Sequence, residues 1–402
     1  MIKTKKRFSL IRMEIIGACL LVALVYMFCF YPQTEVLQGY SDTRCHIDWS
    51  RNLINNGDFP QKASIYPIFF WSIGIIGKLI GNYDIATIIW TGVFSAITCL
   101  LQIMVLKKLT KNNVSTHSII LIGALLSFAW PIDITLSLIR ERAWPLSLYL
   151  MSGATAPAHN LTYLCSKPFA LICAYLYINL FEKQDDSRTK DLTRDLFLLS
   201  AFLFISVLAK PNFYQCFVPA GALWAVGDFI KNKNKAAFLF CCKIALSFLP
   251  ATSWVLYSMT KKLNPFAWSP LEGIKIFNAN FPIGLTIFRA FAFVCVVLLI
   301  CLFTKSCNKF ILFPVLVLLF GLAEFLLLIE PAEKGSLNMM WGYNCGMYIA
   351  FVFACAVLFN LKNKIYKAAY YSSWVVFAWH AGIGLYAFIT YQWGNWLEIF
   401  KI

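Results

Sequence analysis

The chain alternates between long apolar runs and short polar segments that carry most of its charge. Residues 15–30 and 310–328 are two of the apolar runs, and they contain one charged side chain between them. A helix rises 1.5 Å per residue, so about 20 residues cross a hydrocarbon core ~30 Å thick. Soluble helices rarely run this long without a polar face. The pattern therefore predicts an all-α membrane protein that crosses the bilayer several times, as one transmembrane domain over residues 1–402 without a separate soluble domain.

Composition agrees with this interpretation. Of the 402 residues, 60% are hydrophobic and 13% are charged, and the mean hydropathy is +0.68. Soluble domains carry about 25% charged residues. The net charge of +16 does not indicate a nucleic-acid partner, because Lys and Arg form short clusters between apolar runs rather than one basic face. Most of the 14 cysteines lie within apolar runs, and no spacing typical of a zinc site or a disulfide framework occurs.

The basic clusters predict how the chain threads the membrane. Cytoplasmic loops are enriched in Lys and Arg, so we place the N-terminus inside and expect the first span to be retained rather than cleaved as a signal peptide. Residues 65–80 are ambiguous, but Pro67, Lys78 and several glycines favour an interfacial helix over a span. This choice places every later basic cluster inside and gives about eleven spans.

The predicted spans lie near residues 14–30, 85–106, 118–139, 161–180, 196–209, 217–230, 238–257, 285–303, 310–329, 342–361 and 368–390. The long outer loops are then approximately residues 31–84, 140–160, 258–284 and 330–341. Functional residues are concentrated on loops that a rigid scaffold positions. We therefore look for the chemistry on the outer face.

The first outer loop carries an acid and an imidazole at a spacing that suits catalysis. Asp42 and His46 are four residues apart, so on a helix they share one face. A carboxylate beside an imidazole can take a proton from an attacking hydroxyl. The same pair can also bind a metal or a phosphate, and a solvated surface turn is the interpretation without function.

The residues that follow carry a resemblance to a known family. After His46 come Asn55-Asn-Gly57-Asp58, then Ile65-Tyr66-Pro67, and then an apolar run that ends in glycine. This order resembles the first outer loop of the polytopic GT-C glycosyltransferases. The matching positions are Asp42, His46, Gly57, Asp58, Tyr66, Pro67 and Gly81.

That resemblance implies a polyprenyl-phosphate sugar donor, a catalytic acid just after the first span, and a juxtamembrane helix at residues 65–80. Many members of the family have two adjacent acids, whereas Asp42 follows Ser41. We therefore predict no metal site, and the sequence indicates no particular cofactor. A divalent metal stays an open alternative that no paired acidic motif supports.

The second outer loop and two Lys-Pro pairs offer candidate contacts for sugar and phosphate. His159 and Asn160 precede Lys167-Pro168, in a stretch similar to one in a group of uncharacterised bacterial membrane proteins of the same architecture. A lysine at the edge of a span is costly unless it snorkels, pairs or binds a ligand, and we expect the proline beside it to break the helix. We predict that Lys210, before Pro211, binds the donor phosphate and that Lys167 assists.

Arg289 and Glu324 lie within predicted spans. A structural ion pair between them is the default interpretation. Arg289 is also a candidate for the donor phosphate, because a guanidinium group binds two phosphate oxygens at once. His380 lies in the last predicted span, where we interpret it as a packed polar residue.

The last outer loop contains Glu330, Asn338 and Trp341. These residue types resemble a carbohydrate-binding edge, since indole stacks on the apolar face of a sugar while carboxylates and amides bind its hydroxyl groups. The alternative for Trp341 is the aromatic belt at the membrane interface.

Together these features predict an inverting glycosyltransferase on the extracytoplasmic face of a bacterial cytoplasmic membrane. It would move a sugar from a polyprenyl-phosphate donor to a glycan, lipid or protein acceptor. Asp42 would be the general base, and His46 would orient either Asp42 or the acceptor. Two alternatives stay open. Charged residues within the spans could line the path of a lipid-linked oligosaccharide flippase or transporter. A surface-polysaccharide polymerase would use the same chemistry on an oligosaccharyl lipid.

Overall fold

The computed structural model describes residues 2–35, 41–58, 60, 63–110, 114–131, 160–185, 189–261, 266–272, 283–331 and 338–399. Within these ranges the regular secondary structure is helical, with short 3-10 turns at Ala63–Ile65 and Leu126–Phe128, apart from two strands of two residues each, β1 (Ala267–Trp268) and β2 (Leu328–Ile329). In chain order the helices are α1 (Ile2–Glu35), α2 (Thr43–Asn56), α3 (Ile68–Ile80), α4 (Tyr83–Leu109), α5 (Thr116–Leu125), α6 (Leu161–Asp185), α7 (Thr189–Ala209), α8 (Asn212–Asn232), α9 (Lys235–Lys261), α10 (Ile283–Phe303), α11 (Lys309–Leu327), α12 (Met340–Leu361) and α13 (Lys367–Ile399).

Seven helices of the described ranges are long and apolar enough to cross a membrane. They are Leu10–Thr34, Tyr83–Leu109, Leu161–Gln184, Leu192–Ala209, Lys235–Lys261, Lys309–Leu327 and Met340–Leu361. Each coincides with a span predicted from the sequence, which confirms a polytopic all-α membrane protein. The total of about eleven stays a prediction. Three of the other predicted spans fall on α8, on α13 and on the shorter apolar helix Ile287–Phe303. The predicted span at residues 118–139 begins on the short helix Thr116–Phe128, and its part from residue 132 onward lies outside the described residues.

The ambiguous segment at residues 65–80 forms the 13-residue helix α3. Such a helix is about 20 Å long, which is short of the ~30 Å hydrocarbon core. It ends at Gly81, whose φ of 77° lies in the left-handed region that glycine adopts at helix C-termini. Helix α3 packs on α2 and on the start of α4. Its length agrees with the predicted interfacial helix.

Helix α12 forms the centre of the bundle. In its apolar 18-residue window 94% of the residues are buried, against 28% for the windows in α1 and α9. Close contact with α11 depends on two glycines. A Cβ atom on Gly346 would lie 2.7 Å from Leu318 Cα, and one on Gly321 would lie 2.7 Å from Tyr343 Cα. Small residues at such crossings let the two backbones approach each other without side chains between them.

His380 on α13 has a structural role. Helix α10 is kinked at Phe291, where φ is −134° and ψ is 30°. The backbone N–H of Phe293 donates to Nε2 of His380 at 3.3 Å, so Nδ1 carries the proton and donates to the carbonyl oxygen of Trp130 at 2.5 Å. The imidazole thus joins α10, α13 and the segment after α5, in agreement with a packed polar residue.

The two ends of the bundle gather different connections. At one end Lys183 pairs with Asp195 at 2.7 Å, and Lys309 pairs with Glu182 at 3.4 Å. These residues belong to the basic connections predicted to lie inside. At the other end β1 and β2 pair antiparallel and join the segment after α9 to the end of α11. The described residues of the predicted outer loops meet at this second end.

Candidate functional site

Asp42 immediately precedes α2, yet its carboxylate does not cap that helix. The hydroxyl of Ser41 instead accepts from the backbone N–H of Thr43 at 3.2 Å. The Asp42 carboxylate accepts a hydrogen bond from Nδ2 of Asn160 at 2.7 Å, across 118 residues of chain. An acid at an N-cap position normally bonds to its own helix. Here the local sequence places Ser41 to take over that role, and the carboxylate is held by another helix.

Asn160 links Asp42 to the start of α6. Its side-chain oxygen accepts from the backbone N–H of Thr162 at 3.0 Å and from the Thr162 hydroxyl at 2.5 Å. That hydroxyl in turn accepts from Nζ of Lys210 at 3.0 Å. A continuous chain of hydrogen bonds therefore runs from Asp42 through Asn160 and Thr162 to Lys210. We call these four residues the Asp42–Lys210 relay.

Lys210 is 4% exposed and lies between α7 and α8. Its ammonium group is 4.7 Å from the ring centroid of Trp341 and 5.8 Å from that of Tyr66. Burial lowers the pKa of Lys210 to about 8, while the negative charges of Asp42 and Glu330 act in the opposite direction. Two aromatic faces thus stabilise a cation that is largely removed from water.

A cavity of about 500 Å³ extends from Lys210 between α8, α9, α11 and the β1–β2 pair. Most of its wall is apolar and includes Ile65, Val255, Met259, Phe266, Phe320 and Leu327. The polar side chains of the wall are Lys210, Asn212, Gln215, Glu324, Glu330 and Asn338, with Ser258 and Lys261 further along. Pockets of this size and composition suit a ligand with a long apolar part and a small polar group.

The predicted residues of the last outer loop line this cavity or lie beside it. Glu330 is 4% exposed and accepts from Nδ2 of Asn338 at 2.8 Å. The backbone oxygen of Asn338 accepts from Nδ2 of Asn212 at 2.8 Å, which ties the loop to the start of α8. Trp341 is 2% exposed and lies between Lys210 and Tyr163, whose ring centroid is 5.0 Å away. The structure therefore brings Lys210, Glu330, Asn338 and Trp341 together.

His46 lies one turn after Asp42 but is directed elsewhere. It is 3% exposed, and its ring lies 5.4 Å from Trp49, 5.6 Å from Phe69 and 5.2 Å from Phe70. The imidazole is thus enclosed between α2 and α3. This surrounding supports a role in holding α2 in place, and the predicted contact with an acceptor stays a prediction.

Lys167 does not reach the large cavity. We expected Pro168 to break the helix at this point, and that expectation is wrong, because α6 continues through Pro168 to Asp185. A proline removes one backbone donor, and a helix packed among other helices tolerates that loss. Lys167 therefore projects from the second turn of α6 into a separate small cavity. At Lys210 the expected break is found, since Pro211 precedes the first residue of α8.

The other predicted contacts have different outcomes. Arg289 is 3% exposed in the first half of α10, before the kink. Its predicted ion pair with Glu324 and its predicted phosphate contact stay predictions. Glu324 also lines the large cavity, and one of its carboxylate oxygens lies 2.5 Å from the point that a Cβ atom on Gly342 would occupy. His159 lies outside the described residues.

Four residues of the site were not predicted as ligands from the sequence. Thr162 completes the relay. Burial raises the pKa of Tyr66, and the negative charges of Asp42 and Glu330 raise it further. Asn212 and Glu324 complete the polar wall. Three of them lie close to motif residues that the sequence had already singled out, and could have been found in this way. Tyr66 is next to Pro67, Thr162 is two residues after Asn160, and Asn212 is next to Pro211.

The carboxylates of the first outer loop differ in their partners. Asp48 pairs with Arg44 at 3.4 Å and with Arg51 at 3.5 Å, and Arg44 also pairs with Asp84 at 3.2 Å. The pair between Arg44 and Asp84 joins α2 to the start of α4, whereas the two pairs of Asp48 lie within α2. In the described ranges no group of three or more His, Cys, Asp and Glu side chains is arranged to hold a metal ion.

No protein-family model, no curated protein and no solved structure matches the chain.

Proposed function

We propose that the chain is a membrane glycosyltransferase of GT-C architecture, with about eleven spans. It transfers a sugar from a polyprenyl-phosphate donor to a glycan, lipid or protein acceptor. The observation that carries this proposal is the Asp42–Lys210 relay beside a largely apolar cavity. The relay fixes a candidate base relative to a candidate phosphate-binding cation, and the cavity offers room for part of a prenyl chain.

The proposed reaction is a single displacement. The cavity holds the start of the prenyl chain, and Lys210 binds the donor phosphate. An acceptor hydroxyl oxygen attacks the anomeric carbon from the side opposite the phosphate, and Asp42 takes the hydroxyl proton. The bond from the anomeric carbon to the phosphate oxygen breaks, and its electron pair stays on the phosphate. Lys210 stabilises the negative charge that develops on the phosphate. The configuration at the anomeric carbon is inverted.

The residues around the relay have supporting roles in this proposal. Glu330 and Asn338 bind hydroxyl groups of the sugar, and Trp341 holds the Lys210 ammonium against its ring face. His46 positions α2 and, through it, Asp42. Arg289, His159 and Lys167 are not needed for the reaction as drawn, although a contact between Arg289 and the donor phosphate remains part of the sequence prediction.

The proposal includes an orientation. The basic connections lie at the end of the bundle opposite the relay. Because cytoplasmic loops are enriched in Lys and Arg, we place the relay on the extracytoplasmic face and the N-terminus inside. The proposed location is the cytoplasmic membrane of a bacterium, in the synthesis of a cell-envelope polysaccharide.

The test uses the full chain in lipid nanodiscs with a panel of radiolabelled polyprenyl-phosphate sugars and candidate acceptors. Asp42→Asn is expected to lower transfer by about 100- to 10,000-fold, because removing a general base has effects of this size. Asp48→Asn is the matched control, since Asp48 lies on the same helix but pairs with Arg44. Near-normal transfer by Asp42→Asn would exclude Asp42 as the base.

Two further measurements separate the alternatives. The first uses the full chain in sealed proteoliposomes, where movement of intact lipid-linked sugar across the bilayer, with no covalent product, would replace the proposal with a flippase. Products that lengthen by whole oligosaccharide units would identify a polymerase that uses the same site.

A further inference from the structure

A second cavity, of about 20 Å³, lies between α6, α12 and the segment after α5. Tyr163 and Lys167 face it from one turn of α6, and Asn344 and Tyr348 face it from one turn of α12. The Tyr163 hydroxyl donates to the backbone oxygen of Asn344 at 3.1 Å and holds the two helices together. A cavity of this volume admits one water molecule or one ion of similar size. It is too small for a phosphate group or a sugar.

Two polar side chains of the cavity wall, Asn344 and Lys167, have no hydrogen bond or ion pair among the described residues. Asn344 is 1% exposed, and neither its side-chain nitrogen nor its side-chain oxygen has a hydrogen-bond partner there. Lys167 is 5% exposed, and its ammonium group lies 5.1 Å from the ring centroids of both Tyr163 and Tyr348. In the part of the chain that the structure describes, no ion pair involves Lys167.

Tyr348 supplies a third donor. The Ser127 hydroxyl donates to Oε1 of Gln102 at 3.1 Å, which turns the Gln102 amide nitrogen toward Tyr348. That nitrogen donates to the Tyr348 hydroxyl at 3.3 Å. Because the Tyr348 oxygen is the acceptor in this contact, its own proton is left for a different acceptor.

We propose that this cavity binds one monovalent anion of halide size, held by Nζ of Lys167, Nδ2 of Asn344 and the hydroxyl of Tyr348. Donors outnumber acceptors in the wall, since the side-chain oxygen of Asn344 is the single unused acceptor among these three side chains. A water molecule would fill the space but would leave the buried ammonium charge without a counter-ion. Buried charges are strongly unfavourable unless they are paired. An anion compensates the charge and accepts from all three donors.

This inference does not rest on the proposed glycosyltransferase activity. Tyr163 and Trp341 stand between Lys167 and the large cavity, so the anion would contribute to the packing of α6 against α12. Anion binding is therefore expected to change the stability of the protein whether or not it transfers sugars.

The first experiment measures the Tm of the detergent-solubilised full chain in chloride, bromide or gluconate at equal ionic strength and pH. Gluconate is too large for the cavity. A ligand that binds the folded state alone raises the Tm with its concentration, so the Tm is expected to be higher in chloride and bromide and to rise until the site is full. Lys167→Met is expected to lose this difference, and Lys231→Met, which changes an exposed lysine at the other end, is expected to keep it.

The second experiment keeps the inference testable if Lys167→Met does not fold. Crystals of the unaltered chain grown in bromide are expected to show an anomalous peak within hydrogen-bond distance of Lys167 and Asn344. An equal Tm in chloride and gluconate, together with density that has no anomalous signal, would show that the cavity holds only water and would overturn the proposal.

Discussion

The carboxylate of Asp42 is held by the side-chain amide of Asn160, at 2.7 Å, rather than by the helix that it precedes. The position of the acid is therefore set by α6, the helix whose first turn also receives the hydrogen bond from Lys210. Groups whose distance is fixed before substrate binds lose little entropy when the reaction begins. Asn160 is thus the residue on which the spacing of the candidate base and the candidate cation depends.

Two substitutions separate this role from helix capping. Asn160→Ala is expected to lower the free energy of unfolding by about 1 kcal/mol, because it removes a cap, and to lower kcat about 10- to 100-fold, because Asp42 is no longer held. Serine also caps helices but is too short to replace the contact with Asp42. Asn160→Ser is therefore expected to restore stability without restoring kcat. A normal kcat in Asn160→Ser would show that the contact does not matter for turnover.

Lys210 predicts a pH dependence. Its pKa in the folded protein is about 8, so kcat/KM for the donor is expected to fall as pH rises through about 8, because the neutral amine no longer attracts phosphate. Lys210→Arg is expected to remove this fall, since a guanidinium group stays charged. A donor kcat/KM in the unaltered chain that is flat from pH 7 to 10 would contradict the assignment.

The same pKa has an effect on stability with the opposite sign. The folded protein releases the Lys210 proton at about 8, whereas the ordinary pKa is 10.5. Between these values the unfolded chain binds more protons, so the free energy of unfolding is expected to rise with pH in this window. Denaturation in lipid–detergent mixtures at several pH values measures the effect, and Lys210→Met is expected to abolish it.

Gly346 is predicted to be essential for the contact between α11 and α12. Gly346→Ala would place a methyl group 2.7 Å from Leu318 Cα, so the helices must separate. We expect a loss of about 1–3 kcal/mol in the free energy of unfolding, as for other overpacked cores. Gly227→Ala is the control, because nothing lies within 4 Å of its Cβ position. Equal stability of the two variants would show that α11 and α12 do not pack this closely.

Two native cysteines test the proposed orientation. Cys45 is exposed on α2 at the end that holds the relay, and Cys307 lies between α10 and α11 at the basic end. In variants that keep one of these thiols, a membrane-impermeant maleimide is expected to label Cys45 in intact spheroplasts and Cys307 only after permeabilisation. Partial shielding of the Cys45 sulfur from water raises the pKa of the thiol, and the negative charges of Asp42 and Asp48 raise it further. Labelling of Cys45 is therefore expected to accelerate as pH rises. The reverse pattern would invert the topology.

The sequence was sufficient to locate the seven helices that are long and apolar enough to cross a membrane in the described ranges. A span needs apolar side chains whether it packs against lipid or against other helices. Runs such as Lys309–Leu327 can therefore be recognised as spans from length and composition alone. The choice of an interfacial helix for residues 65–80 followed from the basic clusters together with Pro67, Lys78 and the glycines, and the structure has a helix of 13 residues there. Gly57 and Gly81 end α2 and α3 with positive φ, a requirement that glycine signals in any sequence.

The direction in which each helix faces could not be predicted in this way. Lys167 and Lys210 are each followed by a proline. Lys167 nevertheless lies inside α6 and Lys210 lies between α7 and α8, so the two lysines face different cavities. Hydropathy shows where a span lies along the chain and contains no information on its rotation about its own axis. Tertiary packing decides that rotation, and with it the pairing of Asp42 with Asn160.

Nearly all residues of the apolar part of α12 are buried inside the protein, whereas most residues in the apolar parts of α1 and α9 are at least partly exposed. Bilayers differ in thickness, and helices that contact lipid adjust by tilting. The outer helices can make that adjustment while α12, which carries Trp341 at one end and Asn344 and Tyr348 below it, keeps its place. We therefore expect these three side chains to be less affected by the thickness of the membrane than residues on the outer helices.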